Sequence, residues 1–219
     1  MITNPEKSHQ SDSQISSAQS PTSPAFDLVA LTSSADGLNA LTQVLSALAP
    51  DFTVPIVVVQ HLSPRYPSLL AEILNRRTSL QVKQAEEGGH LSPGKVFIAP
   101  PDYHLLVNAD GSLSLSQTEK VHFVRPAAEI LFESVAQHYQ QRAIAVVLTG
   151  GDGDGSTGVQ AIKKMGGKVI AQDQATSKVW GMPAAAIATG CVDWVLPLDK
   201  IGKAITQLVV HGQLENQEG

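Results

Sequence analysis

Ala143-Ile144-Ala145-Val146-Val147-Leu148-Thr149-Gly150-Gly151-Asp152-Gly153-Asp154-Gly155-Ser156-Thr157-Gly158 is the stretch on which the reading of this chain turns. Its first six residues are apolar without alternation, as in a strand buried on both faces. The next ten hold five glycines and two aspartates. From Val159 to Met165 the apolar residues take helical spacing. Glycine loses more chain entropy on folding than any other residue, so a loop this rich in it marks backbone that must approach something closely. A strand, a glycine loop and a helix in that order suit an α/β fold. The open question is what Asp152 or Asp154 faces.

Residues 27–32 and 55–60 form two similar apolar runs, the second with four β-branched residues in a row, Ile56 to Val59. Helical spacing follows each: Leu38, Leu41, Val44, Leu45 and Leu48 ahead of the stop signal Pro50, then Leu69, Leu70, Ile73 and Leu74. A short strand is predicted over 80–85. Residues 95–99, 103–107 and 112–116 read together as an antiparallel excursion, the last alternating strictly after the turn Asp110-Gly111. Helices over 127–139, 183–189 and 201–210 and strands over 168–172 and 192–196 complete the pattern. Strands alternating with helices predict a three-layer α/β/α, doubly wound domain with a mainly parallel sheet and a small antiparallel excursion.

The 219 residues suit one domain with tails. Residues 1–24 are polar and rich in Ser, Gln and Pro, which predicts a disordered tail, and 211–219 read as a polar C-terminal tail. The domain is expected over 25–210. A net charge of −5 speaks against nucleic acid or an anionic membrane surface as the main partner. With Cys191 alone there is no disulfide framework, and a reducing compartment is expected. No apolar run reaches the ~18 residues of a membrane span, and the N-terminus has no secretory pattern. A cytoplasmic protein without membrane insertion is expected.

Ser34, His61 and Asp154 fall at the carboxyl ends of three expected parallel strands, where open α/β sheets place their crevice. A hydroxyl, an imidazole and a carboxylate are the parts of a nucleophilic triad. The weak nucleophile needs a base, and the base needs a group that fixes its tautomer. Plainer roles stay open: Ser33 with Asp36 as a capping box, His61 as a mere strand-end residue, Asp154 as N-cap of the helix from 156. Asp152 to Ser156 mimics a calcium loop, but Lys163 stands where the closing glutamate belongs. No Gly-Lys-Ser/Thr follows for a phosphate. Cys191 reads as a packed thiol, and Trp180 and Trp194 as core or cleft wall. His90, His104, His122, His138 and His211 lack metal-ligand spacing, so no metal site and no cofactor is called for.

From Ala25 to about Val209 the chain resembles the catalytic domain of the CheB family of chemotaxis protein-glutamate methylesterases. The likeness rests on Val59-Gln60-His61-Leu62, on Leu91 to Pro100, on Val124-Arg125-Pro126 with Ile130-Leu131-Phe132, and on the loop Leu148 to Gly155. That loop resembles the family's Leu-Thr-Gly-x-Gly-x-Asp-Gly. Ala171-Gln172-Asp173 and Gly181-Met182-Pro183 match two further segments. The resemblance implies Ser34 as nucleophile, His61 as base, Asp154 as orienter, the Gly151 N–H as oxyanion donor, and Arg125 and Met182 as substrate-binding residues. It implies hydrolysis of glutamate methyl esters, and deamidation of glutamine, on cytoplasmic helices of methyl-accepting chemoreceptors.

The turn at Ser34 departs from the family's Gly-x-Ser-x-Gly-Gly: Thr32 and Asp36 replace two glycines and Ala35 a hydroxyl residue. Strain is expected from the first two, and a carboxylate near the oxyanion position would oppose the developing charge. That favours a rival reading, a weakly active or inactive adaptor that binds receptors or signalling partners. A small-molecule ester hydrolase, a third reading, would need a closed apolar pocket. Members of the family the chain resembles usually carry a receiver domain ahead of the catalytic one. Here about 24 polar residues precede the domain, so regulation is expected to differ or to come from a separate receiver chain.

Overall fold

A computed structural model of the protein describes Met1 and residues 23–214. Apart from Met1, Ser23 and Pro24, the expected N-terminal tail lies outside the described residues, as does 215–219 of the expected C-terminal tail. In chain order the elements are β1 (Leu28–Ser33), α1 (Gly37–Ser46), β2 (Ile56–Gln60), α2 (Leu70–Arg77), β3 (Gln81–Gln84), β4 (Lys95–Ile98), β5 (His104–Val107), β6 (Leu113–Ser116), α3 (Ala128–Tyr139), β7 (Ala143–Val147), α4 (Ser156–Lys164), β8 (Lys168–Gln172), α5 (Gly181–Ala188), β9 (Trp194–Leu196) and α6 (Leu198–His211).

One sheet has the order β3-β4-β2-β1-β7-β8-β9, with every neighbouring pair parallel. Every residue of β1, β2 and β7 is buried, as their unbroken apolar sequences require. Alternate side chains feed opposite cores. Val29, Leu31, Ile56, Val58, Ile144 and Val146 face α1, α2 and α6, where Leu41, Leu45, Ile201 and Ile205 pack. Leu28, Ala30, Val57, Val59, Ala145 and Val147 face α3, α4 and α5 with Phe97, Phe132 and Val159. The three layers are those expected.

The antiparallel excursion is smaller than the sequence suggests. Among the strands of the described residues only β5 and β6 pair antiparallel, as a separate two-stranded sheet, besides the isolated bridges His90–Ser112 and Val121–Val124. The strand at 95–98 instead lies inside the parallel sheet between β3 and β2. Val96, Phe97 and Ile98 are all buried, so this strand needs cover on both faces, which a half-exposed hairpin does not give. α6 starts three residues before the expected 201 and ends at His211. Gly212, at φ 74, closes it in the left-handed conformation, and Leu214 beyond still packs on the core. No helix among the described residues is long and apolar enough to cross a membrane.

β1 lies at the centre. The chain first builds outward on the β2 side, then returns to add β7 on the other. The strand order reverses across β1, and such a switch point opens a crevice at the carboxyl ends of the strands.

Candidate active site

Ser34 leaves β1 into a turn tied from three sides. Its N–H donates to Thr149 O at 2.9 Å, and its carbonyl accepts from Gly37 N at 2.9 Å and from Gln60 Nε2 at 2.7 Å. Ser33 Oγ donates to Gln60 Oε1 at 2.6 Å. The buried Gln60 amide thus braces the whole turn. A Cβ on Gly37 would sit 1.8 Å from Gln60 Oε1, so any side chain at 37 would have to displace this amide. Asp36 takes the left-handed conformation, φ 63, which aspartate enters more readily than most residues.

The Asp36 carboxylate is exposed and accepts from Asn39 Nδ2 at 3.3 Å. Among the described residues it makes no ion pair with His61, and it lines the groove that opens beside Ser34. The capping-box reading fails as well, because Ser33 is spent on Gln60 and no side chain bonds the first N–H groups of α1. Thr32 is a buried strand residue outside the positive-φ region, so the backbone strain expected there is not seen, but its Oγ1 is buried with no hydrogen-bond partner among the described residues.

His61 follows β2, its N–H bonded to Ser33 O at 3.1 Å. Nε2 lies 2.7 Å from Oδ2 of Asp154, whose side chain is fully buried. With Asp154 ionised, Nε2 carries the proton. Nδ1 is buried and makes no hydrogen bond among the described residues, Ser34 Oγ included; Asp152 Oδ2 stands 3.4 Å away without hydrogen-bond geometry. The Asp154 carboxylate also accepts the Ala128 N–H at 2.5 Å and the Glu129 N–H at 3.1 Å. These are the open donors at the start of α3, a helix whose preceding residue, Ala127, offers no cap. The Asp154 carboxylate thus sits at the positive end of the α3 dipole.

Asp154 does not cap the helix it precedes. Glu129, in the first turn of α3, does so: Oε1 accepts Thr157 N–H at 3.2 Å and Oε2 accepts Gly158 N–H at 2.9 Å. Each helix is therefore closed by a carboxylate carried on or next to the other. Glu129 is only 4% exposed and is also met by His122 Nε2 at 3.3 Å. Gly158 permits this approach, since a Cβ there would lie 2.6 Å from Phe132 Cβ. Sequence reasoning gave no role to Glu129, nor to Gln60 beyond its place beside His61.

Gly150 closes the floor. A Cβ on it would meet Met182 Sδ at 2.1 Å and Ser34 Cβ at 3.0 Å. Thr149 is held by Gln172, whose Oε1 accepts its N–H at 2.9 Å. The next residue, Gly151, is exposed, and its N–H finds no acceptor among the described residues. The two residues expected to bind substrate are engaged internally. Met182 is 1% exposed beneath Gly150. The Arg125 guanidinium bonds Asp102 Oδ1 through Nε (3.1 Å) and Nη2 (2.7 Å), and Nη1 bonds the carbonyls of Gln117 (2.9 Å) and Thr118 (2.7 Å). It braces the segment before α3. Beside Ser34 an open groove of about 360 Å³ runs past Leu38, Leu62, Leu69 and Ile73.

The family model for CheB methylesterase matches residues 29–205. The chain is 41% identical over 184 residues to protein-glutamate methylesterase/protein-glutamine glutaminase 2 of Caulobacter vibrioides, covering 82% of this chain and 53% of that protein. It is 38% identical over 183 residues to a putative protein-glutamate methylesterase/protein-glutamine glutaminase of Leptospira interrogans, covering 84% and 95% respectively. The crystal structure of the Thermotoga maritima CheB methylesterase catalytic domain superposes with a TM-score of 0.81 at 40% identity, covering 84% of this chain and 99% of that one. The chain thus spans about half the length of the Caulobacter relative and nearly all of the Leptospira one.

Proposed function

This chain belongs to the CheB methylesterase family, and on that premise we propose that it hydrolyses glutamate methyl esters, and deamidates glutamine, on chemoreceptor cytoplasmic helices. The observation that carries the reading is the His61 Nε2 to Asp154 Oδ2 bond of 2.7 Å, made to a buried carboxylate at the strand end next to that of Ser34.

Ser34 Oγ attacks the ester carbonyl, and His61 Nδ1, the nitrogen left free by Asp154, takes its proton. Asp154 stays ionised and holds the imidazolium. The oxyanion of the tetrahedral intermediate is met by the free N–H of Gly151 and by that of Ala35, the residue after the nucleophile. His61 then gives its proton to the departing methoxy oxygen, and methanol leaves. Water, activated by the same nitrogen, attacks the acyl-enzyme and frees glutamate. With glutamine, ammonia is the leaving group. The contact of Ser34 Oγ with Nδ1 is of a kind that commonly forms or tightens only when substrate binds. The open groove along Leu38, Leu62 and Leu69 supports a protein substrate better than a small ester, because a helix can lie across it.

The adaptor reading retains one observation in its favour: no hydrogen bond joins His61 Nδ1 to Ser34 in this structure. Methanol release from methylated receptor fragments separates the two. Wild type should release methanol and Ser34→Ala should not. Equal rates, or none from either protein, would overturn the esterase reading.

A further inference from the structure

We propose that Asp152 is a positioning residue for the reaction, a second carboxylate that acts through His61. The inference rests on the triad reading above. In the family's loop pattern the residue at this place is glycine, whereas here it is an aspartate with ordinary backbone geometry. Its Oδ1 is fixed by the Asp154 N–H at 3.2 Å, which holds Oδ2 at 3.4 Å from His61 Nδ1. The imidazole thus lies between two carboxylates, Asp154 on Nε2 and Asp152 on Nδ1.

Other charged groups around the ring are spent elsewhere. On the α3 side Glu129 is held by Thr157, Gly158 and His122. At the β1–α1 turn Asp36 is bonded to Asn39. Among the described residues, only Asp152 and Asp154 form ion pairs with His61.

Nδ1 is the nitrogen that must accept the Ser34 proton. When it does, the new N–H charge appears next to Asp152, which stabilises the imidazolium of the transition state. The carboxylate therefore speeds the chemical step.

Asp152→Asn removes the charge and keeps the Oδ1 acceptor for Asp154 N–H. Asp152→Gly restores the family residue. Each variant should lower kcat by about tenfold, the low end for a charge within ~4–6 Å because Asp152 is 37% exposed. KM should not change, since the charge acts only in the transition state. A second readout needs no turnover: in a Ser34→Ala background, the ¹⁵N chemical shift of His61 Nδ1 at one pH should differ between Asp152→Asn and its parent. A raised KM with unchanged kcat, or an unchanged Nδ1 shift, would overturn the proposal. If no chain releases methanol, the esterase reading fails, and the Nδ1 shift alone decides for or against Asp152.

Discussion

Replacing Asp154 with asparagine tests the site at its most heavily used atom pair. Asp154 Oδ2 accepts from His61 Nε2 and Ala128 N, and Oδ1 accepts from Glu129 N. Asparagine has one acceptor oxygen and one NH₂ donor, so no orientation serves all three. If its oxygen takes the Oδ2 place, the NH₂ faces the Glu129 N–H, and one buried backbone donor loses its acceptor. If the oxygen turns to Glu129, the NH₂ faces both Ala128 N–H and His61. The ring must then accept at Nε2 and carry its proton on Nδ1, which leaves no base for Ser34. One orphaned buried N–H costs about 1–3 kcal/mol, and loss of the charge at the α3 dipole adds about 0.3–2 kcal/mol. At ~2–4 °C per kcal/mol for a domain of this size, the melting temperature should fall by about 3–20 °C. The wrong tautomer should lower kcat on the order of 10⁴-fold. Methanol release and thermal unfolding on the same preparations measure both. A variant within about tenfold of wild-type kcat would refute the orienting role, and one that melts with wild type would refute the capping role.

Three further outcomes follow from the geometry. Gly158→Ala should destabilise by about 1–3 kcal/mol in urea, because the new methyl meets Phe132 Cβ at 2.6 Å and a backbone-proximal atom cannot swing aside. At position 36, where φ is 63, Asp36→Ala should cost on the order of 1 kcal/mol, while Asp36→Gly should match or exceed wild-type stability; a melt in which alanine equals glycine would contradict the left-handed turn. Burial, then the charges of Asp27 and Asp110, push the Tyr139 phenol above the usual tyrosine range. The folded chain so favours its neutral form, a contribution complete below the ordinary value and lost as pH rises through the folded one. Tyr139→Phe should flatten that alkaline loss of stability, and parallel curves for the two proteins would count against it.

The central strands could be read directly, since the runs at 28–33, 56–60 and 143–147 are continuous and buried on both faces. β4 is misplaced because three buried residues beside two hairpin strands give the same apolar signal as a hairpin member. His61 and Asp154 were visible through their neighbours in the chain. The expectation for Asp36 rests on a carboxylate replacing a glycine of the family's turn, and only the structure shows that carboxylate on Asn39. Capping was misassigned for a related reason. Cap signals are read three residues apart, but α4 takes its cap from Glu129, 28 residues before Thr157. Arg125 and Met182 carried the right motif without any indication that both were already engaged, one on Asp102 and the other under Gly150.

The exchanged carboxylates of α3 and α4 also bear on how the domain opens. A helix start held by its own cap can fray by itself; neither of these can. The amides of Ala128 and Glu129 close on Asp154, and those of Thr157 and Gly158 close on Glu129. Hydrogen exchange at all four should therefore follow a single cooperative event, the parting of the two helices, with one shared protection factor. The carboxylate that steadies His61 is as durable as that unit, so in rising denaturant the esterase chemistry should disappear together with the α3–α4 pair and not ahead of it.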